Sequence, residues 1–378
     1  MKKRIALFLA IIMSLTLVAC GNQQDNQKDT ETPPSVNDPV NTPENVSGGD
    51  KETEQSSDSA DEVNNEVIEY YLNKSEDVKV TDTHVIFTDD GSGEEMSVAK
   101  DPKKVAVLFG SLASLWYEAG GTVQIGVGGE SAITTYKEQI GRDITQDEGF
   151  VVVAESSSGS NWDVETIIAE EPDLIVCSVG MKGYSTISGP AAAANIPVIG
   201  INYDSVQDYL KWFKVFCNLN SKPELWDEVA EKTTNDIIDI VSKVPEVEKA
   251  PTAVIFGISS GVLKAYTVDS QPGVILTELG GVNTVDPDSE GTSSSVDISL
   301  EEVYAMDPDI IFLSAFGDVT MDTLLEMHKD NPVWDSLRAV KDGKLYFLDK
   351  SLFHNKANHL YNESYRTMAQ YLYPDVEF

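Results

Sequence analysis

One stretch of this chain occurs twice, and it limits the fold more than any other feature. Glu165-Thr-Ile-Ile-Ala-Glu-Glu-Pro-Asp-Leu-Ile-Val-Cys-Ser178 aligns without gaps on Glu301-Glu-Val-Tyr-Ala-Met-Asp-Pro-Asp-Ile-Ile-Phe-Leu-Ser314, every pair standing 136 positions apart. Glu165/Glu301, Ala169/Ala305, Pro172/Pro308, Asp173/Asp309, Ile175/Ile311 and Ser178/Ser314 are identical. The unit has a physical form. A helix stops ahead of a proline, because the residue before Pro is pushed out of the α region, and Pro-Asp turns the chain into an apolar strand. Helix–Pro-Asp–strand is common enough to arise twice by chance, but the Glu at the same offset favours two corresponding lobes. The closing Ser then lies outside the carboxyl end of its strand, where open α/β sheets bind ligands.

The surrounding sequence alternates in the same way. His84 to Thr88 and Glu95 to Val98 flank Asp89-Asp-Gly-Ser-Gly93 and predict a β-hairpin. Val105 to Phe109, Val123 to Val127, Leu174 to Cys177 and Pro197 to Ile201 read as strands, with helices at Leu112 to Ala119 and Val164 to Ala169. Near-continuous apolar strands between helices indicate a parallel sheet covered on both faces. Lys222 to Val244 reads as one long helix, with Ser221 as N-cap and Pro223 in the first turn. The alternation resumes with Ala253 to Phe256, Val262 to Val268, Val274 to Leu279, Ile310 to Leu313 and Leu345 to Leu348. Lys356 to Tyr373 reads as a closing helix over the second lobe. The expected fold is α/β: two Rossmann-like lobes with parallel-rich sheets, joined by a single long helix.

The first residues bear on location. Lys2, Lys3 and Arg4 precede an apolar run from Ile5 to Val18, which ends in Leu17-Val-Ala-Cys-Gly21. The run is short for a membrane span but fits a signal peptide, and small residues before Cys20 fit a lipoprotein cleavage site. An uncleaved anchor, or secretion with Cys20 incidental, is the bland alternative. Residues 21–69 carry thirteen acids, two lysines and no aromatic side chain, a composition that favours an extended, disordered leash. The expected organisation is a signal at 1–19, an acidic tether at 20–69, a lobe at 70–220, the linking helix at 221–246 and a second lobe at 247–378. With 63 acids against 27 bases and a pI near 4.2, nucleic acid is an unsuitable partner.

Several stretches together resemble one family. Asp101-Pro-Lys-Lys-Val-Ala-Val-Leu108, the doubled unit, Ile196-Pro-Val-Ile199, Leu279-Gly-Gly-Val-Asn283 and Trp334-Asp-Ser-Leu-Arg-Ala-Val-Lys-Asp-Gly-Lys-Leu-Tyr346 occur in an order that resembles the substrate-binding lipoproteins of ABC importers, in the helix-linked class for ferric siderophores, haem or corrinoids. The resemblance implies a non-enzymatic protein lipidated at Cys20 on the outer face of the cell membrane, on a surface of Gram-positive type. It implies an ABC permease dimer with its ATPase subunits as partner, a monomeric state, membrane contact through the lipid alone, and no intrinsic cofactor. Glu165 and Glu301 take the positions that pair with permease arginines, a charge-assisted recognition; stabilising the start of its own helix is the simpler role for each.

Strand-end positions supply the candidate ligand contacts: Ser111, Glu130, Trp162, Met181, Lys182 and Tyr203 in the first lobe, and Ser259, Tyr266, Phe316, Phe353 and His354 in the second. Aromatic walls with a few polar groups suit large chelates. Only Arg142, Arg338 and Arg366 follow the signal segment, which leans toward a neutral or cationic chelate such as a ferric hydroxamate or corrinoid. Three rivals remain. Gly257-Ile-Ser-Ser-Gly261 fits the G-x-S-x-G of serine hydrolases, but a strand rather than a helix follows it. A carrier of free Zn²⁺ or Mn²⁺ needs clustered His and carboxylates, and the chain has four scattered histidines. A surface sensor or adhesin could use the same lobes. Cys177 and Cys217 read as small buried hydrophobes.

Overall fold

The doubled unit is realised twice in three dimensions. The computed structural model describes residues 58–156, 161–259, 262–285, 294–315, 322, 325–326 and 329–378. The expected signal, Cys20, Phe316 and the Ser259 side chain lie outside that description. The first element is helix α1 (Asp58–Leu72), which starts inside the stretch expected to be tether. Val67 and Tyr70-Tyr71 recur at helical spacing there, a stripe hidden by the acidic composition. From Ile68 to Phe378 the chain forms one compact unit.

A small antiparallel sheet comes next, built from β1 (Lys79–Val80), β2 (His84–Thr88) and β3 (Glu95–Ala99). The expected hairpin is present, with Thr88 opposite Glu95. Its turn is tied down rather than solvated. The buried Asp89 carboxylate accepts the Gly200 N–H at 2.7 Å.

The first lobe is an all-parallel sheet of β4 (Val105–Val107), β5 (Ile125–Val127), β6 (Val151–Ala154), β7 (Leu174–Ser178) and β8 (Val198–Ile201), in the order β6-β5-β4-β7-β8. Its helices are α2 (Gly110–Glu118), α3 (Glu130–Gln139), α4 (Val164–Ala169), α5 (Lys182–Ala193) and α6 (Val206–Leu219). Val105 to Val107 and Leu174 to Cys177 are buried throughout, as strands covered on both faces must be.

Helix α7 (Pro223–Ser242) lies between the two large sheets in sequence. Ser221 is not its N-cap. With φ +56° it closes the preceding helix α6 instead, and the neighbouring Lys222 N–H bonds back to the Cys217 carbonyl at 2.7 Å. Trp226 ties α7 to α6 through a hydrogen bond from Nε1 to the Leu210 carbonyl, 2.9 Å.

The second lobe is mixed. Its strands are β9 (Thr252–Ser259), β10 (Val262–Tyr266), β11 (Val282–Asn283), β12 (Ser295–Asp297), β13 (Ile310–Ala315) and β14 (Leu345–Leu348), ordered β12-β10-β9-β13-β14 with β11 also on β9. β9, β13 and β14 run parallel, whereas β9, β10 and β12 alternate in direction. The helices are α8 (Gln271–Glu278), α9 (Leu300–Met306), α10 (Pro332–Ser336), α11 (Arg338–Lys341), α12 (Lys350–Phe353) and α13 (Tyr361–Leu372).

The two copies of the unit agree in detail. Each helix ends on a left-handed residue directly before the proline, Glu171 at φ +48° and Asp307 at +45°. Each following Asp then pins the entrance of the adjacent strand. Asp173 accepts the N–H groups of Lys103 and Lys104 (2.7 and 2.9 Å) ahead of β4, and Asp309 accepts that of Thr252 (2.9 Å) at the start of β9. β7 pairs with β4 exactly as β13 pairs with β9, in parallel register.

Candidate functional site

The repeated glutamates stand in equivalent places. Glu165 lies in the first turn of α4 and Glu301 in the first turn of α9, and both are exposed. Capping falls to other side chains. Asp163 accepts the Thr166 N–H at 3.0 Å, which holds its carboxyl below the usual range. Ser299 and Glu302 form a reciprocal capping box on α9. Among the described residues neither repeated carboxylate makes a side-chain hydrogen bond or ion pair, so each is free for an external cation.

The expected ligand contacts of the first lobe divide into two groups. Glu130 and Lys182 are exposed and Met181 half-buried, each at or just before the start of the helix that follows a strand end. Trp162 is buried with its ring against Gly183, where an added Cβ would sit 2.3 Å from the indole. Its Nε1 has no hydrogen-bond partner among the described residues. Ser111 and Tyr203 are buried, and both are bonded to the chain's own C-terminal segment.

That segment is a seam the sequence reading missed. It was expected to be the start of a helix over the second lobe, but α13 begins only at Tyr361. Asn358 stands before it at φ +52°, a left-handed position that Asn tolerates better than most residues. Its side-chain oxygen accepts from Tyr203 Oη at 3.0 Å, and its amide nitrogen donates to the Ser111 carbonyl (3.0 Å) and to Gln139 Oε1 (3.1 Å). Gln139 in turn donates to the Lys356 carbonyl at 2.9 Å, and Lys356 Nζ reaches Asp204 at 2.8 Å. The rings of Tyr203, Tyr209 and Tyr361 lie together beneath it, with centroids 5.8 to 6.4 Å apart. Glu118 accepts from Tyr209 and faces His359 at 3.7 Å, which raises that imidazole's pKa. A segment following the second sheet is thereby fastened to the first lobe along a line independent of α7. No local motif announces it; only the Asn in an otherwise helical stretch hints at the break.

In the second lobe Tyr266 covers Gly257, where a Cβ would approach its ring to 2.8 Å. Burial raises the Tyr266 phenol, and the nearby Ser314 hydroxyl offsets part of that shift without reaching hydrogen-bond geometry. Ser314 is fully buried near the end of β13. Phe353 is buried on α12, and His354 follows it beyond the end of β14. Burial, with the charges of Lys350 and Lys356, lowers His354 to about 4, so its imidazole is neutral near pH 7. Among the described residues no three His, Cys, Asp or Glu side chains gather as metal ligands.

The hydrolase motif takes a hairpin form. β9 runs through Gly257 to Ser259, and β10 returns antiparallel with Val262 opposite Ser259. A nucleophile elbow needs a strand, a sharp turn and then a helix. A depression of about 350 Å³ lies at the amino ends of β9, β13 and β14, lined by Pro251, Asp309, Ile310, Lys344 and Tyr346 among others. It is at the opposite end of the strands from the expected cleft, and it contains none of the candidate contacts.

Comparison with known proteins agrees with this architecture. The Fe(3+)-citrate-binding protein YfmC of Bacillus subtilis is 25% identical over 272 residues, covering 71% of this chain and 79% of its own length. The petrobactin-binding protein YclQ of the same bacterium is 23% identical over 362 residues, covering 94% and 93%. The crystal structure of an ABC transporter substrate-binding protein from Listeria monocytogenes EGD-e shares the fold with a TM-score of 0.58 at 19% identity, over 73% of this chain and all of that one. The chain is accordingly a binding protein and not an enzyme. Residues 105–352 match the family described as periplasmic binding protein, and the chain belongs to it.

Proposed function

We propose that this chain is the lipid-anchored solute-binding component of an ABC importer. It captures a ferric chelate between the strand ends of its two lobes and delivers it to a permease dimer driven by ATPase subunits. The observation that carries this reading is the doubled unit within a matching family. It sets two unpaired carboxylates, Glu165 and Glu301, in equivalent exposed positions suited to a two-fold partner. The relatives named for ferric citrate and petrobactin support an iron chelate over haem or a corrinoid. In this reading Cys20 carries the lipid and residues 20–69 form the leash, which ends within α1. The lobes divide at 70–220 and 247–378 about the helix at 221–246.

Glu130, Trp162, Met181 and Lys182 face the ligand from the first lobe. Tyr266 and His354 face it from the second, with Phe353 supporting His354. A neutral His354 offers an acceptor or donor without the cost of burying a second charge. Helix α7 and the Asn358 seam together restrict the lobes to small motions, so the permease, rather than ligand release alone, has to part them.

The test uses full-length protein extracted from its own membrane, with ferric citrate as the probe and tryptophan fluorescence as the readout. Saturable quenching at micromolar or lower concentration is expected. Binding of free Zn²⁺ or Mn²⁺ without any ferric chelate would replace this reading with a free-metal carrier.

A further inference from the structure

The chain bonds to the second lobe before it enters the first. At the end of α1, Tyr70 and Tyr71 donate from their Oη atoms to the two carboxylate oxygens of Glu278, at 3.1 and 3.0 Å, and Tyr365 of α13 donates to the same group. Glu278 ends α8, so these bonds fasten the amino-terminal segment to the second lobe. Tyr71 is fully buried, with the Tyr70 ring edge-on to its own at 5.1 Å between centroids. Three residues later the same segment is fixed to the first lobe. The 3-10 turn Asn73–Asp77 lies along α6, where Lys74 Nζ pairs with Asp208 at 2.5 Å and Lys214 Nζ donates to the Ser75 carbonyl at 2.9 Å. Asp208 is itself held in the capping box of α6, so this anchor is rigid.

We infer that residues 70–75 are a strap across the lobes, which limits how far α8 can move from α6 and so how far the cleft opens. The chain geometry sets its reach. From Tyr71 to Lys74 the backbone is helical, and three steps of about 1.5 to 2 Å span about 5 to 6 Å. Fully extended, the same steps span about 10 Å. The difference, about 4 Å, is all the backbone yields while both ends stay bonded. A larger movement has to break the Tyr70 and Tyr71 bonds to Glu278 together, at a buried site where water does not replace them. The strap is separate from α7 and from the Asn358 seam. The restraint follows from the fold, and its effect on cargo release rests on the function proposed above.

The experiment lengthens the strap without touching its ends. Gly-Ser-Gly-Ser is inserted between Leu72 and Asn73 of the full-length chain. Nitroxides at Lys137→Cys and Asp335→Cys, exposed positions of α3 and α10, report the distance between the lobes by pulsed electron spin resonance. Cys177 and Cys217 are buried, and Cys20 is acylated in the reading above, so the label goes to the two new thiols. The insertion should add a component more than about 4 Å longer than the parent's longest distances. Tyr70→Phe/Tyr71→Phe, which keeps both rings and removes two donors, should do the same. Dissociation of ferric citrate, followed by tryptophan fluorescence, should quicken about tenfold in both variants. A parent-like distance distribution from the insertion overturns the strap, even where the double variant widens, because the tyrosines then only stabilise the interior. Widened distances in a protein whose parent form does not bind ferric citrate uphold the strap and count against the proposed cargo.

Discussion

The first lobe continues its sheet outward through helices, and the second through a hairpin. From β4 the chain crosses by α2 to β5 and by α3 to β6, all parallel, so the rim at the carboxyl ends of these strands is made of helix starts at Gly110 and Glu130. From β9 it turns straight back as β10, so the opposite rim is a hairpin end. Yet β4-β7-β8 and β9-β13-β14 share one parallel arrangement, complete with Pro-Asp pin and left-handed helix end. The centre of each lobe is thus common stock and the rims are not. On the proposed function, the duplicated architecture serves the shared partner, while the divergent edges face the cargo.

The seam breaks that symmetry, because it carries the chain after the second sheet onto the first lobe. Asn358→Ala removes three buried hydrogen bonds and forces Ala into a left-handed conformation. We expect a loss of about 4 kcal/mol in urea unfolding. Asn358→Gly, which keeps the backbone freedom, should lose about 3. Equal costs would mean the backbone conformation there is unstrained.

The Pro-Asp pins sharpen the comparison. Asp309 is held down to about 2 against its burial, by the Thr252 N–H and by Arg338, whose Nη1 lies at 2.6 Å. Asp173 is exposed and bonds only backbone N–H groups. Asp309→Ala should cost about 2 kcal/mol, since it removes one of the two carboxylates on Arg338 and leaves the Thr252 N–H without its acceptor, and Asp173→Ala about 1. Matching values in the same denaturation assay would show that Arg338 adds nothing.

Acid distinguishes two histidines around the seam. His354 titrates at about 4 folded against an ordinary 6.5, so the unfolded chain binds the extra proton first. Its contribution is complete above about pH 6.5 and is lost as pH falls toward 4. His359, raised by Glu118, has the opposite sign: its contribution is present at low pH and lost as pH rises through its raised pKa. The melting temperature of His354→Gln should therefore fall less steeply from pH 6.5 to 4 than the parent's, while His359→Gln should be weakest relative to the parent below pH 6.

The smallest effect lies at the left-handed helix ends. Glu171→Gly should gain about 0.5 kcal/mol by relieving φ +48°. Asp307→Gly should gain nothing, because the Asp307 carboxylate grips Arg338. A gain at both positions would mean that the grip is energetically empty.

What could be read in the sequence was what short-range physics writes there. The hairpin at Asp89–Gly93, the strand runs and the helix–Pro-Asp–strand unit each depend on residues within a few positions, and each is found. Ser221 misled because a Ser ahead of Pro reads as an N-cap, whereas the tight turn between α6 and α7 needed a left-handed residue. Helix α1 was obscured because composition outweighed a sparse apolar stripe. The bonds that tie Ser111 and Tyr203 to Asn358 were not legible, because their partner is too distant in sequence for any local pattern to reveal. The equivalent placement of Glu165 and Glu301 in the first turns of their helices was legible, since duplication carries its own internal control.

The buried carboxylate of Glu278 has a consequence for the order in which this molecule is made. It is enclosed at the end of α8, pushed upward by burial, and bonded by Tyr70, Tyr71 and Tyr365. Tyr71 is 207 residues from its acceptor, and Tyr365 follows that acceptor by another 87. A growing chain cannot complete this cluster until its last helix has emerged, and closing so long a loop is slow. Tyr70 and Tyr71 thus stay without their final partners while the rest is synthesised.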